Sequence, residues 1–456
     1  MNKIKHILLE RNYKTSTSAT HIVLPILFEF LLLLILFFKD KSLAYSYLFT
    51  LIPLLLLTAL IGTYIYNNNG DMKLFSAITI LTSLGIALQL LVDHVYAIGY
   101  SFNPLKHLVA LLIALVLILI YILIRNIIQK PAMSFIFFLL SISIYVYLYL
   151  FGIDPNGNGT YAWIQIRNYT FQLTDLTKIC AVLFYSSLFS SKTDETKTLV
   201  YSTAFFIVNF IGSVIIRELG SFFILYFLHL AMLFIFMEKG KKKRIYLLTI
   251  FSLTILSLAT VYFLYRYLRP IAESGGLNSF TSILYPIAKK VYMRFSVTAN
   301  IESDPLGAGY QLMQGRKILW ISGLFGNTIN FSALPVPESD MAFISLINGF
   351  GFIMGFFALL QFLRIMISGS EISRKLTYNH YSDAVVAYGF TILLFAQALL
   401  VILGSSNVIP LAGLPIPFLS RGGSYQAIVF MFSGILLYLS RNNAGYVESD
   451  GGTEDE

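Results

Sequence analysis

The chain has 456 residues, 57% of them hydrophobic and 12% charged, with a net charge of +9. A soluble domain carries about 25% charged residues, so this composition excludes a water-soluble globule and makes lipid the solvent. The single cysteine, Cys180, excludes an internal disulfide. The positive charge of so apolar a chain reads as cytoplasmic loops and contact with membrane lipid, with no nucleic acid.

Apolar runs of spanning length fall at 21–38, 43–66, 74–98, 107–126, 132–152, 174–190, 199–216, 220–237, 245–265, 341–363, 384–404 and 424–440. A helix needs about 17–25 residues to cross a bilayer, and 174–190 is the marginal one. No small-residue cleavage site follows the first run, which reads as a retained helix. Placing both termini in the cytoplasm puts four basic clusters inside: Lys3, Lys5, Arg11 and Lys14; Arg125 and Lys130; Lys239 to Arg244; and Arg441. The expectation is an all-α, multi-pass integral membrane protein with about twelve transmembrane helices. Residues 1–152 form an N-terminal five-helix membrane segment, 153–441 a second membrane unit, and 442–456 a disordered acidic cytoplasmic tail.

That topology leaves two segments on the outer side, 153–173 and 268–340. A loop longer than about 15 residues is usually functional or disordered. Stretches 281–295 and 309–322 mix apolar and basic residues as interfacial or re-entrant helices do, so the long extracytoplasmic loop is expected to carry the function.

Ionisable groups in or beside spans mark sites by default. Asp175 and Lys178 lie three residues apart on one helix face. Arg217 and Glu218 sit between two spans, Asp340 opens one, Arg421 precedes another, and Asp304, Arg316 and Lys317 lie in the long loop. Each alone reads as a helix cap or a snorkelling side chain. Together, all on the outer side, they point to an extracytoplasmic polar cavity. Asp93 and His94 read as interfacial, and Trp163 and Trp320 as interfacial anchors. No phosphate-binding loop, His-Glu-x-x-His pair or Cys/His cluster is present.

The run Asp304-Pro305-Leu306-Gly307-Ala308-Gly309-Tyr310-Gln311 resembles the D-P-x-G-x-G-Y-Q signature of the SEDS family, the RodA/FtsW/SpoVE-like cell-wall glycosyltransferases. Ser322-Gly323-Leu324-Phe325-Gly326 resembles its G-G-L-x-G turn, and Leu334-Pro335 followed by Asp340 its L-P-E-x-x-T-D segment. Pro410 to Ser424, with Ser420, Arg421, Gly422 and Gly423, is similar to P-x-T-G-L-P-L-P-F-I-S-Y-G-G-S. Trp163-Ile164, Phe171-Gln172 and Asp175 with Lys178 look like R-W-I and Q-P-S-E-x-x-K, and Glu218-Leu219-Gly220-Ser221 takes the place of D-L-G-T. The resemblance covers roughly 157–441. It implies a SEDS-type ten-helix core preceded by two extra N-terminal helices, with 153–441 as the catalytic unit.

The resemblance also implies polymerisation of the undecaprenyl-linked precursor lipid II at the outer face of the bacterial cytoplasmic membrane, in cell shape, division or sporulation. A class B penicillin-binding protein is the implied partner, and Asp304 the implied catalytic residue. The chemistry agrees. An inverting displacement of a polyprenyl diphosphate needs one general base and cations for the departing charge. Arg294, Arg316, Lys317, Lys178 and Arg421 are candidate cations. Asp175, Gly309, Tyr310, Gln311, Asp340, Ser420, Gly422, Gly423 and Ser424 complete the expected substrate-binding set. A divalent cation, Mg2+ or Mn2+, is an open alternative for the diphosphate, with Asp304 or Asp340 as ligand.

Several positions depart from the pattern. Gln172-Leu173-Thr174-Asp175 replaces Q-P-S-E, Asn348-Gly349-Phe350-Gly351 replaces E-E-L-G, Ala162 precedes Trp163, and Arg421 stands where tyrosine is usual. A divergent or specialised member is therefore implied. The competing readings are a lipid-linked oligosaccharide flippase or transporter, a non-catalytic scaffold that activates a penicillin-binding protein, and an O-antigen-type polymerase or ligase. The unusual segments are asymmetric and confined to one face, which disfavours transport.

Overall fold

The computed structural model describes residues 20–96, 104–155, 157, 159–167, 169–191, 194–238, 240–327, 334–377 and 380–441. The N-terminal basic cluster, Lys239 and the acidic tail lie outside these residues. Hydrocarbon offers peptide groups no hydrogen-bond partner, so a lipid-embedded chain satisfies them within helices. The helices in chain order are α1 Thr20–Lys39, α2 Lys41–Asn67, α3 Met72–Tyr96, α4 Pro104–Ile128, α5 Ala132–Phe151, α6 Thr174–Ser190, α7 Glu195–Ile215 and α8 Gly220–Phe236. Then come α9 Lys241–Glu273, α10 Thr281–Ala299, α11 Ala308–Ser322, α12 Ala342–Leu376, α13 Tyr381–Ser405 and α14 Gly423–Arg441.

Ten of these helices are long and apolar enough to cross a membrane. The all-α membrane architecture is as expected, but the count of twelve is not confirmed. Helices α6 and α8 have 17 residues each, about 25 Å at 1.5 Å per residue against a hydrocarbon core of about 30 Å. The expected outer segment 153–173 contains an antiparallel hairpin, β1 Trp163–Ile166 and β2 Tyr169–Gln172, in the register Trp163↔Gln172 to Ile166↔Tyr169.

Helix α3 is buried along its whole spanning stretch and forms the axis of the core with α12, α13 and α14. Helix α9 is the reverse: only Lys243, Ile250, Tyr265 and Leu268 of its 33 residues are buried. Helices α1 and α2 form a hairpin joined through Asp40, which accepts the Ser42 N–H at 2.7 Å and so caps α2. The hairpin is fastened inside the core by Glu29 of α1, fully buried, whose Oε1 accepts from Thr58 of α2 at 3.0 Å and Ser83 of α3 at 3.2 Å.

The two ends of the bundle are fixed by different contacts. At one end Arg125 of α4 pairs with Asp383 of α13, Ser187 donates to the Lys130 carbonyl at 2.6 Å, Lys243 donates to the Met237 carbonyl at 2.9 Å, and Arg441 bonds Tyr64 at 2.6 Å. The opposite end gathers the starts of α6, α8, α12 and α14 beneath the segment 274–341, and it is there that the motif residues meet.

Candidate active site

Residues 274–327 and 334–341 are folded, not a connector. A single turn, Ile301–Ser303, joins α10 to the Asp304 region, opened by Asn300, whose side chain accepts from the Glu302 N–H at 3.1 Å. Asp304 is half-buried, and its Oδ1 accepts the Gly307 N–H at 3.1 Å. A side-chain carbon at Gly307 would lie 2.3 Å from the Asp304 carboxylate, and one at Gly309 would lie 2.2 Å from the Ile301 carbonyl oxygen. Both glycines are therefore what lets the backbone wrap this carboxylate. Tyr310 is partly exposed, and the buried Gln311 Nε2 has no hydrogen-bond partner among the described residues.

Helix α11 then descends beside α12. Gly315 meets Met341 at the start of α12, the Ser322 hydroxyl reaches Asn348 at 3.5 Å, and the Asn327 N–H donates to the Asn348 carbonyl at 2.9 Å. Helix α12 breaks at Gly351 (φ 88°), and there the Phe352 and Ile353 N–H groups donate to the Gly323 and Leu324 carbonyls at 3.2 and 3.3 Å. The stretch Asn348–Gly351, which replaces E-E-L-G, thus forms a kink receiving the Gly323–Gly326 turn. Helix α11 thus runs alongside the first turns of α12, from Met341 to Asn348.

Helix α10 carries Arg294, one of the expected cations, and a second cation, Lys290. Lys290 Nζ donates to Thr160 Oγ1 at 2.6 Å and to the Arg217 carbonyl at 3.0 Å. Burial, and then the neighbouring Arg294, bring its ammonium down to about 8, against the pull of Glu218 and Asp154. Arg294, one turn on, donates to the Ala412 carbonyl at 3.4 Å. Desolvation pushes its guanidinium down, opposed by Glu218 and Asp340. Asp340 faces it across Gly413: a carbon added at Gly413 would lie 3.5 Å from Asp340 Oδ2 and 3.8 Å from Arg294 Nη2. Desolvation raises the Asp340 carboxyl, and the Ser339 hydroxyl and Arg294 oppose the rise. Lys290 was legible only as part of a basic-apolar stretch; its role depends on a partner 130 residues away.

The Pro410–Ser424 segment is held beneath these residues. Ser420 Oγ accepts the Ile416 N–H at 2.7 Å and donates to the Ser339 carbonyl at 3.1 Å. The Arg421 N–H donates to the Glu338 carbonyl at 2.7 Å, and Gln89 of α3 ties Glu338 to Leu419 through bonds of 3.1 and 2.8 Å. Gly422 and Gly423 lead into α14, and Ser424 Oγ lies 3.5 Å from the Thr170 carbonyl on the hairpin.

Two expected binding residues are paired with each other. Lys178 and Asp175 are buried, 2.7 Å apart, and Lys178 also donates to Gln397 of α13 at 3.1 Å. Gln397 passes the link to the Pro415 carbonyl at 2.8 Å. The fully buried Ser420 is likewise engaged by backbone groups. These three side chains hold the floor of the site together. Arg316 and Lys317, by contrast, are exposed on α11. Among the described residues, no three His, Cys, Asp or Glu side chains gather as a metal site.

Residues 69–445 match the model of the FtsW/RodA/SpoVE family, described as cell cycle protein. The chain is 32% identical over 171 residues to stage V sporulation protein E of Bacillus subtilis, covering 36% of this chain and 46% of that protein. It is 28% identical over 296 residues to a probable peptidoglycan glycosyltransferase FtsW of Haemophilus ducreyi, covering 63% and 68%. The fold is similar to a chain solved in work on coordination of polymerization and crosslinking by a peptidoglycan synthase complex, with TM-score 0.62 and 17% identity over 82% of this chain and 99% of that one. It also resembles the rod shape determining protein RodA of Thermus thermophilus, with TM-score 0.54 and 15% identity over 82% and 98%. The family match begins just after α2, so the α1–α2 hairpin precedes the shared core. With five sixths of its length aligned to one family model, the chain belongs to the FtsW/RodA/SpoVE family of cell cycle proteins.

Proposed function

We propose that this protein is a peptidoglycan glycosyltransferase that polymerises lipid II at the outer face of the bacterial cytoplasmic membrane. The carrying observation is Asp304, half-buried and wrapped by Gly307 and Gly309 just before α11, in a family whose named relatives include probable peptidoglycan glycosyltransferases. Both termini are cytoplasmic in this reading. The end bearing Lys130, Lys243 and Arg441 then faces the cytosol, and the end bearing Asp304, Arg294 and Asp340 faces out.

The Asp304 carboxylate takes the proton from the acceptor sugar hydroxyl as its oxygen attacks the anomeric carbon of the donor. The bond from that carbon to the polyprenyl diphosphate breaks with inversion, and the diphosphate leaves with the bonding electrons. Arg294, Arg421, Arg316 and Lys317 supply positive charge toward the departing diphosphate. Asp304 or Asp340 would hold a divalent ion, Mg2+ or Mn2+, through hard carboxylate oxygens, and the ion would supply positive charge toward the departing diphosphate. A class B penicillin-binding protein is the proposed partner, crosslinking the strands made here.

Purified protein with lipid II and that partner should extend glycan strands, and Asp304→Ala should lower the rate by about 10² to 10⁴ at unchanged expression. Undiminished polymerisation by Asp304→Ala overturns the assignment of the base. Translocation of labelled lipid II across vesicles without polymer favours a transporter, and partner activation surviving Asp304→Ala favours a scaffold.

A further inference from the structure

Glu29 is an ionisable group that the reaction just described does not use. It stands at the middle of α1, Thr20–Lys39, so a hydrocarbon core of about 30 Å places it near the bilayer midplane. It is fully buried, and the α1–α2 hairpin that carries it precedes the residues matched by the family model. A solitary charge at that depth is costly, so such a residue marks a function by default.

Its surroundings are oxygen atoms from three helices. Besides its contact with Glu29, Ser83 Oγ lies 2.9 Å from the Thr79 carbonyl. A serine has one proton for these two acceptors, which leaves the carboxylate a donor short. Glu29 Oε2, sealed from solvent, has no hydrogen-bond partner among the described residues. Tyr47 of α2, fully buried and close enough to feel the Glu29 charge, also has a hydroxyl without a partner among them. Lys73 and Arg364 lie beside His21 at one end of α1, and neither acts on Glu29. Along α3, the buried Ser76, Thr79 and Ser83 share one face, and Asp71 precedes the helix 12 residues before Ser83, about 18 Å away. These groups make a polar route from that end of the bundle to Glu29.

We infer that Glu29, Thr58 and Ser83 form an intramembrane site for a small monovalent cation, sodium, with which the proton competes. One carboxylate among neutral oxygens balances one positive charge, whereas a divalent ion would leave a net charge in hydrocarbon. Carboxylate, hydroxyl and carbonyl oxygens are the hard donors that a hard cation takes. A proton needs one of them. Both oxygens of Glu29, the two hydroxyls and the Thr79 carbonyl offer a shell, once the hydroxyls turn their lone pairs inward. Since these donors come from α1, α2 and α3, a bound ion fastens the hairpin to the family core. Nothing in this site depends on the polymerase reading.

The test uses the full chain in nanodiscs and a lipophilic carbodiimide, which modifies protonated carboxyls in hydrocarbon. Labelling of Glu29 is read by peptide mass spectrometry in sodium chloride and in choline chloride of equal ionic strength. Sodium at ten times its dissociation constant should slow labelling about tenfold, because about one site in eleven stays free. Thr58→Val should raise the half-protecting sodium concentration at least about fivefold, the loss of one polar contact. Sodium should also raise the unfolding temperature of the wild type but not of Glu29→Gln, which keeps an acceptor and loses the charge. Labelling that falls with rising pH but ignores sodium makes Glu29 a proton site alone and overturns the proposal. Equal protection by choline makes the effect one of ionic strength and overturns it too. If the reagent does not reach Glu29, the unfolding temperature decides: no sodium-specific rise, or an equal rise in Glu29→Gln, overturns the site.

Discussion

Gly326 and Gly351 meet where the turn after α11 enters the kink of α12. A side-chain carbon on Gly351 would lie 2.0 Å from the Leu324 carbonyl oxygen, and one on Gly326 would lie 2.6 Å from the Gly349 carbonyl oxygen. Both have positive φ, 81° and 88°, so neither position accepts a side chain without strain. Gly351→Ala is expected to push the turn off α12 and lower glycan polymerisation by at least about tenfold, the cost of misplacing the catalytic segment by an ångström. The polymerisation assay checks this, with thermal unfolding in detergent showing that the remaining bundle is intact.

The Asp175–Lys178 pair is predicted to act on stability more than on the chemistry. Removing one partner leaves an uncompensated buried charge, a loss of about 3–5 kcal/mol. Lys178→Met should therefore lower the unfolding temperature sharply. The double variant Asp175→Asn/Lys178→Met should lose less than the sum of the single variants, because the two residues share one interaction. Additive losses would show that the pair is not the unit the geometry describes.

Lys290 provides a pH signature. Its ammonium sits at about 8 in the folded protein, below the 10.5 of an unperturbed lysine. Between these values the unfolded chain binds the proton that the folded chain has released. Stability from this group therefore rises with pH from about 8 toward 10.5, and the desolvation penalty is fully present below 8. Amine labelling of Lys290 should follow a midpoint near 8. A midpoint at the ordinary lysine value of 10.5 would refute the docking of α10 on Thr160 and Arg217.

Glu29 is a buried carboxylate that links the α1–α2 hairpin to the family core. Glu29→Gln retains an acceptor for Thr58 and Ser83 and should fold normally. Glu29→Ala strands those donors and should cost about 1–3 kcal/mol, while Glu29→Lys places a cation among hydroxyls and apolar side chains and should cost more. Unfolding temperatures in detergent order the three; equal values would mean the hairpin is held by apolar packing alone.

The chain's own order of residues decided the solvent, the helical class and the long segment that carries the Asp304 motif. Lipid burial imposes a long apolar period, and a short motif such as Asp-Pro-x-Gly-x-Gly-Tyr-Gln survives as a string. Periodicity says nothing about partners distant in sequence. Lys290 with Thr160, Arg294 with Asp340 and Lys178 with Gln397 are set by helix packing, and only the tertiary structure separates the buried strut, Lys178, from the exposed cations, Arg316 and Lys317. The same holds for Asn348–Gly351. As a string it is a motif with its carboxylates missing; in the fold it is a break in α12, because a transmembrane helix frees backbone donors only where another backbone, here Gly323–Leu324, arrives to accept them.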